Sequence, residues 1–215
     1  MPDARPGSLV VGLTGGIGTG KTRVADLLAE LGAAVECSDR IVRELQAPGG
    51  EVLRAIVGHF GPEVLTPEGE LDRPRLGARV FRDPEARRAL GELIHPAVYR
   101  QLARRAEEHR KRGVPVIVLD IPLLLEGRAS GRGSGAKLPF DLVAVVWAPP
   151  AVQLERVMTR DGLPREQAQA RIDAQMPIDE KVRMADVRID NAGDWDATER
   201  RVRNLYRRWL GRAGR

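Results

Sequence analysis

The chain has 215 residues, 42% of them hydrophobic, and a formal net charge of +5, which suits one α/β domain with insertions, or two small domains, around a sizeable core. No apolar run is long enough to span a membrane, the single cysteine, Cys37, excludes an internal disulfide framework and a cysteine-cluster metal site, and Met1 to Gly7 lacks a secretory apolar stretch, so a cytoplasmic protein is expected. The basic excess is an arginine bias (only residues 21, 111, 137 and 181 are lysines among 35 Lys and Arg), and arginines interleaved with acids, with 4% aromatics, are a weak nucleic-acid footprint; solvated helix faces and an anionic substrate explain it better.

In chain order, Leu9-Val-Val-Gly-Leu-Thr14 reads as a buried strand. Gly15-Gly-Ile-Gly-Thr-Gly20-Lys21-Thr22 follows, and Arg23 to Leu31 is a helix with Val24, Leu27, Leu28 and Leu31 on one face. Strand, glycine loop and helix together are the context a phosphate-binding loop requires. Gly15, Gly16, Gly18, Thr19 and Gly20 let successive N–H groups point inward as an anion nest at a helix N-terminus. Lys21 can reach the terminal phosphates, and the Thr22 hydroxyl can ligate the accompanying magnesium. The chain therefore binds a nucleoside triphosphate.

Four further strands are expected: Ala34 to Cys37, Val114 to Leu119 ending at Asp120, Asp141 to Trp147, and Asp186 to Asp190. Apolar runs separated by helical stretches predict an α/β fold whose five-stranded parallel sheet is covered by helices on both faces. Ligands then sit beyond the carboxyl ends of the strands, so Gly15 to Thr22, Asp39, Asp120 and Asn191 should share one rim. A helical block from about Gly50 to Arg112 is too long for a simple crossover and suits an inserted substrate region. Gly127 to Lys137 reads as a flexible low-complexity loop, Ala151 to Ala174 as helix, turn and helix, and Ala197 to Leu210 as a closing helix before a frayed basic tail.

These residues resemble the dephospho-CoA kinase family from Val11 to about Gly193. The marks, in order, are Gly12 to Thr22, Ser38-Asp39 with Arg43-Glu44, Gly69 to Arg73, Val80-Phe81, Leu93-Ile-His-Pro96, and Pro122-Leu-Leu-Leu-Glu126. They continue with Gln153 to Arg156 with Arg160, Arg171-Ile172 with Gln175, and Ala185-Asp186 with Asn191. The resemblance implies transfer of the ATP γ-phosphate to the ribose 3′-hydroxyl of dephospho-CoA, with ATP and magnesium as cofactors and neither nucleic acid nor membrane as partner; a monomer is expected, with the oligomeric state left open. It also implies a core of residues 1–49, 113–150 and 179–215, a substrate region of residues 50–112 and a lid of residues 151–178.

Phosphoryl transfer asks the protein mainly for positioning and charge neutralisation. Asp39, after the second strand, is the candidate to accept the hydroxyl proton; a helix N-cap is its alternative and a compatible role. Where the family usually has Asp-Ala-Asp this chain reads Cys37-Ser38-Asp39, so the proposed base is kept and the first carboxylate is not. Arg156 and Arg160, four apart on one helix face, can both reach one anion from a closing lid, whereas Arg165 and Arg171 read as surface or structural. Lys21, Asp39 and Arg156 are thus the expected catalytic set, with Arg23 and Arg160 beside the nucleotide. His95, before Pro96 at what reads as a helix start, is structural on sequence alone. The resemblance makes it an acceptor contact, with Arg73 and Phe81 holding the pantetheine or diphosphate arm. Asp120 can bind magnesium through water as a strand-end carboxylate, with Thr22 the other metal-side residue, and Asn191 is placed to contact adenine. The absence of an Asn/Thr-Lys-x-Asp motif removes a GTPase; another small-molecule kinase, with a nucleotide or shikimate-like acceptor, is the alternative.

Overall fold

Valine, isoleucine and leucine fill the segments at residues 9–13, 116–119 and 142–146 so densely that both faces of each must be covered. The computed structural model, which describes residues 7–131 and 137–214, covers them. The chain runs from β1 (Leu9–Gly15) through α1 (Lys21–Glu30), β2 (Ala34–Cys37) and α2 (Ser38–Leu45) into a helical excursion. This comprises α3 (Glu51–Phe60), a 3-10 turn at Pro62–Val64, α4 (Arg73–Arg82) and α5 (Pro84–Lys111). It returns through β3 (Val116–Asp120), α6 (Leu124–Ser130) and β4 (Leu142–Trp147). The segment α7 (Pro150–Asp161), α8 (Arg165–Asp173) and α9 (Ile178–Arg183) leads to β5 (Val187–Asp190) and α10 (Trp195–Ala213).

The sheet has the order β2-β3-β1-β4-β5 with every neighbouring pair parallel. Alternation along β1 divides the core. Leu9, Val11 and Leu13 pack with Val24 and Leu28 of α1 and Val202, Tyr206 and Trp209 of α10. On the other face Val10, Ile117, Leu119 and Val145 meet Ile41, Val98, Leu102, Leu124 and Ile178, from α2, α5, α6 and α9. Two satellite clusters stand apart, one within residues 52–97 and one of Leu154, Val157 and Ala168 with Ile17 against it.

Several expectations need correction. His95-Pro96 does not start a helix: Pro96 lies inside the 28-residue α5. A proline there costs about 3 kcal/mol in lost hydrogen bonding and ring clash. Burial of Ala97, Val98, Leu102 and Ala106 along one side outweighs it. Residues 127–130, read as loop, are the end of α6, where the Ser130 hydroxyl donates to the Glu126 carbonyl and the Arg128 guanidinium lies 4.8 Å over the Phe140 ring. Residues 132–136 of that loop lie outside the described residues. The closing helix begins at Trp195 and runs to Ala213, so the start of the expected tail is helical, and Arg215 lies outside the described residues. The N-cap of α2 is Cys37, and Asp39 sits in the first turn instead, where a carboxylate still favours the helix dipole.

Edge strand β2 is fastened to α5 by charge. Glu36 accepts from Arg105 at 3.0 Å and bonds the His109 ring at 2.9 Å, while Arg105 also donates to Glu44. Burial pushes the Glu36 carboxyl up, but the His109 and Arg105 contacts outweigh it and hold it below its ordinary range. A depressed carboxyl contributes stability above its unfolded pKa and loses it as the pH falls. Glu36→Gln should therefore cost about 2 kcal/mol near neutrality, and the gap to the unmodified chain should close below pH 4.5 in denaturant titrations at stepped pH.

Candidate active site

The phosphate loop closes its turn with glycines at positive φ, +78° at Gly18 and +83° at Gly20, a region that side chains with a Cβ rarely adopt. A Cβ on Gly18 would also lie 2.6 Å from the Gln153 carbonyl oxygen, and one on Gly20 2.3 Å from the Asn191 amide nitrogen. The loop is thus seated tightly against α7 and the end of β5. The loop borders a cavity of about 1120 Å³ that brings together Gly15, Gly16, Gly18, Gly20, Lys21, Thr22, Arg23, Asp39, Arg156 and Arg160.

Four loop carbonyls, those of Gly15, Gly16, Gly18 and Thr19, have side-chain donors among the described residues. Lys181 Nζ lies 3.3 Å from the Gly15 oxygen, and the Thr19 hydroxyl donates to Gly16 at 2.7 Å. Arg156 reaches the Gly18 oxygen at 3.5 Å, and the Asn191 amide donates to Thr19 at 2.7 Å. Asn191 is buried, and its carbonyl oxygen accepts from Thr198 at 3.0 Å. Its side chain is therefore committed inside the protein rather than turned toward a base, which corrects the adenine contact expected for it. Thr19, fully buried, also serves the loop's own geometry.

Lys21 pairs with Asp120, the buried last residue of β3. Burial pushes the Asp120 carboxyl up; Lys21 pulls it down, and neighbouring Asp39 adds to the rise, leaving it above the ordinary range. Among the described residues no group of three or more His, Cys, Asp or Glu could hold a metal ion. The available donors, the exposed Thr22 hydroxyl and the Asp120 carboxylate, are hard oxygens and few. That set fits magnesium, which keeps waters and takes ligands from substrate phosphates.

On α7, Arg160 grips Asp161 with two bonds of 2.7 and 3.0 Å, and Arg171 of α8 holds the same carboxylate at 3.0 Å. Arg156, unlike Arg160, is not tied to an acid among the described residues and faces the loop. The acceptor side is less united than expected. A second cavity of about 790 Å³ is lined by His95, Tyr99, Arg87, Arg88, Arg100 and Lys137, among others, and loss of solvent there lowers the His95 pKa. Neither Arg73, which bonds Gln46, nor Phe81, 85% exposed, lines either cavity.

Some residues of the site carry no role in the sequence reading. Gln175 accepts the Ile17 N–H at 2.9 Å, the buried Gln153 amide bonds the Ala148 carbonyl, and the fully buried Lys181 pairs with Glu126 at 2.6 Å. Burial lowers the Lys181 pKa, and Glu126 offsets part of that. Glu126, Gln153 and Gln175 stand among the residues of the resemblance, while Lys181 had only the scarcity of lysine to mark it.

A model of the dephospho-CoA kinase family matches residues 9–196. The dephospho-CoA kinase of Symbiobacterium thermophilum is 46% identical over 205 residues, 95% of this chain and 83% of that protein. Among solved structures, a Thermus thermophilus protein aligns with TM-score 0.76 at 33% identity, over 94% of this chain and 98% of its own. The dephospho-CoA kinase from Campylobacter jejuni aligns with TM-score 0.64 at 25% identity, over 94% and 97%.

The seat of the loop makes a direct prediction. Gly18→Ala adds left-handed strain of about 1–2 kcal/mol and forces the loop off the Gln153 backbone. ATP affinity should fall at least tenfold by calorimetric titration, while the melting temperature drops only a few degrees.

Proposed function

The chain belongs to the dephospho-CoA kinase family, and we propose that it transfers the γ-phosphoryl group of ATP to the ribose 3′-hydroxyl of dephospho-CoA, releasing CoA and ADP. The observation that carries this is the single cavity in which the phosphate loop, Lys21, Asp39 and Arg156 meet. Sheet order gives that cavity a direction. Asp39 follows β2 and Asp120 ends β3 on one side of the loop, while Ala192 follows β5 on the other. The acceptor end is therefore the β2–β3 side. The nucleoside lies toward Ala192 and Arg23, whose guanidinium already stacks 3.8 Å over the Trp195 ring.

Loop N–H groups bind the phosphate oxygens, and Lys21, exchanging Asp120 for the nucleotide, neutralises the terminal charge. Asp39 accepts the 3′-hydroxyl proton as the new oxygen–phosphorus bond forms and the bond to ADP breaks. Arg156 holds the transferring group from above, and Arg160 stays with Asp161 until the lid, residues 151–178, closes. Magnesium, held by Thr22 and, through water, Asp120, would neutralise charge on the phosphate oxygens. The second cavity, between residues 84–100 and the Gly131 and Lys137 side, takes the pantetheine and diphosphate arm of the acceptor. Arg87, Arg88 and Lys137 supply charge there, and His95 and Tyr99 supply flat contact. Phe81 and Arg73 join the acceptor as this region closes. The reaction takes place in the cytoplasm.

The first test is ADP release by the purified chain with ATP and magnesium, with and without dephospho-CoA, and the product weighed for one added phosphate. Acceptor-dependent turnover is expected, and turnover with shikimate or AMP instead would overturn the substrate reading. Asp39→Asn should lose at least a hundredfold in kcat with an unchanged ATP dissociation constant; near-normal turnover would remove it as the base. Arg87→Ala with Arg88→Ala should raise KM for dephospho-CoA roughly tenfold and leave KM for ATP alone.

A further inference from the structure

Lys181 is a fully buried ammonium that the transfer chemistry does not use. It sits on α9, after the segment of α7 and α8 and before β5. Its Nζ lies 2.6 Å from Glu126, 3.3 Å from the Gly15 carbonyl and 3.5 Å from the Pro122 carbonyl, so its three donors are spent. Glu126 also accepts the Met176 N–H at 3.1 Å, and Gln175 accepts the Ile17 N–H at 2.9 Å. Pro122 in turn accepts from the Thr14 hydroxyl at 2.9 Å. Residues 175–181 thus hold the phosphate loop on both sides of Gly16, by the carbonyl before it and the N–H after it.

Stability alone does not explain the lysine. A buried ion pair is often no better than apolar side chains of the same volume, and the second Glu126 oxygen is buried without a partner among the described residues. What an apolar residue cannot do is bind the Gly15 oxygen. The peptide between Gly15 and Gly16 is planar and trans, so its C=O and N–H point in opposite directions. Drawing the oxygen toward Lys181 turns the Gly16 N–H to the other side, toward the cavity that Gly16 lines.

We propose that Lys181 is a positioning residue for the nucleotide: it orients the first peptide of the phosphate loop and ties that loop to the segment by which the lid returns to the sheet. The proposal rests on the loop being the nucleotide site, as inferred above. Lys181→Met alone strands Glu126 and can unfold the chain, so the informative variant is Lys181→Met with Glu126→Gln, which removes both charges. The readouts are ATP and ADP dissociation constants by calorimetry, well below the melting temperature, together with steady-state constants. A folded double variant should bind ATP and ADP at least tenfold more weakly, with a lower kcat and a KM for dephospho-CoA within twofold of the unmodified chain.

A role confined to packing would lower the melting temperature and leave the dissociation constants in place, and that result overturns the proposal. If the double variant does not fold, Glu126→Gln alone replaces it. By weakening the grip on Lys181, it should raise the ATP dissociation constant severalfold, and unchanged binding again counts against the proposal. Failure of the unmodified chain to bind ATP would instead sink the nucleotide reading itself, and this inference with it.

Discussion

A loop that offers its N–H groups to an anion must send its carbonyl groups the other way, into the protein, where each needs a donor. That constraint organises the molecule around the first strand. The donors at Gly15, Gly16, Gly18 and Thr19 come from four places: α9, the loop's own Thr19, α7 and the end of β5. Thr19, Arg156 and Asn191 follow β1, β4 and β5 at the carboxyl edge of the sheet, and Lys181 comes from α9, which packs on the sheet through Ile178. The parallel order β2-β3-β1-β4-β5 is what brings these ends beside the loop. Fold and site therefore share one requirement, since the elements that close the core also satisfy the loop.

Charge is arranged on the same plan. Lys21 faces the cavity and is met by Asp120 from β3, and Lys181 lies beneath the loop and is met by Glu126 from α6. Each cation has one carboxylate, and each carboxylate comes from the chain at or just after β3. The two pairs differ in what can replace the acid. The Lys21 pair borders the cavity, so phosphate can take the place of Asp120. The Lys181 ammonium is fully buried, although Glu126 keeps part of its side chain exposed, so that charge stays where the fold puts it. Arg156, tied to no acid among the described residues, faces the loop, whereas Arg160 and Arg171 share Asp161 and hold α7 to α8.

Much of this was legible in the sequence, for physical reasons that differ by element. The three central strands show because a parallel strand buried on both faces has no polar alternation to confuse it; the edge strands β2 and β5 are shorter and half-buried, and all five expected segments hold a strand within two residues of the ends assigned. The loop shows because its glycines answer both to conformation, at Gly18 and Gly20, and to the close approach of Gln153 and Asn191, which no other residue type meets. Pro96 misled because a local rule about helix starts competes with burial along a 28-residue helix, and burial wins. Short helices α6 and α9 carried too few turns to leave a periodic signal. Asn191 was correctly placed on the rim but given to the ligand; its neighbour Thr198, seven residues on, already claimed it.

Lys181 escaped notice because its local sequence, Asp179-Glu-Lys-Val-Arg183, reads as one more solvated turn. Composition held a clue that segment reading does not use. In a chain that writes nearly every cation as arginine, lysine is kept at four positions. Two of these, Lys111 and Lys137, are exposed, while Lys21 and Lys181 lie on opposite sides of the phosphate loop. A compact ammonium on an unbranched stem can enter a sealed space and serve a carbonyl and a carboxylate at once. The planar guanidinium needs width and five acceptors. Where arginine is the default cation, a lysine inside the core therefore marks a space too narrow for the fork, and here that space is the underside of the nucleotide loop.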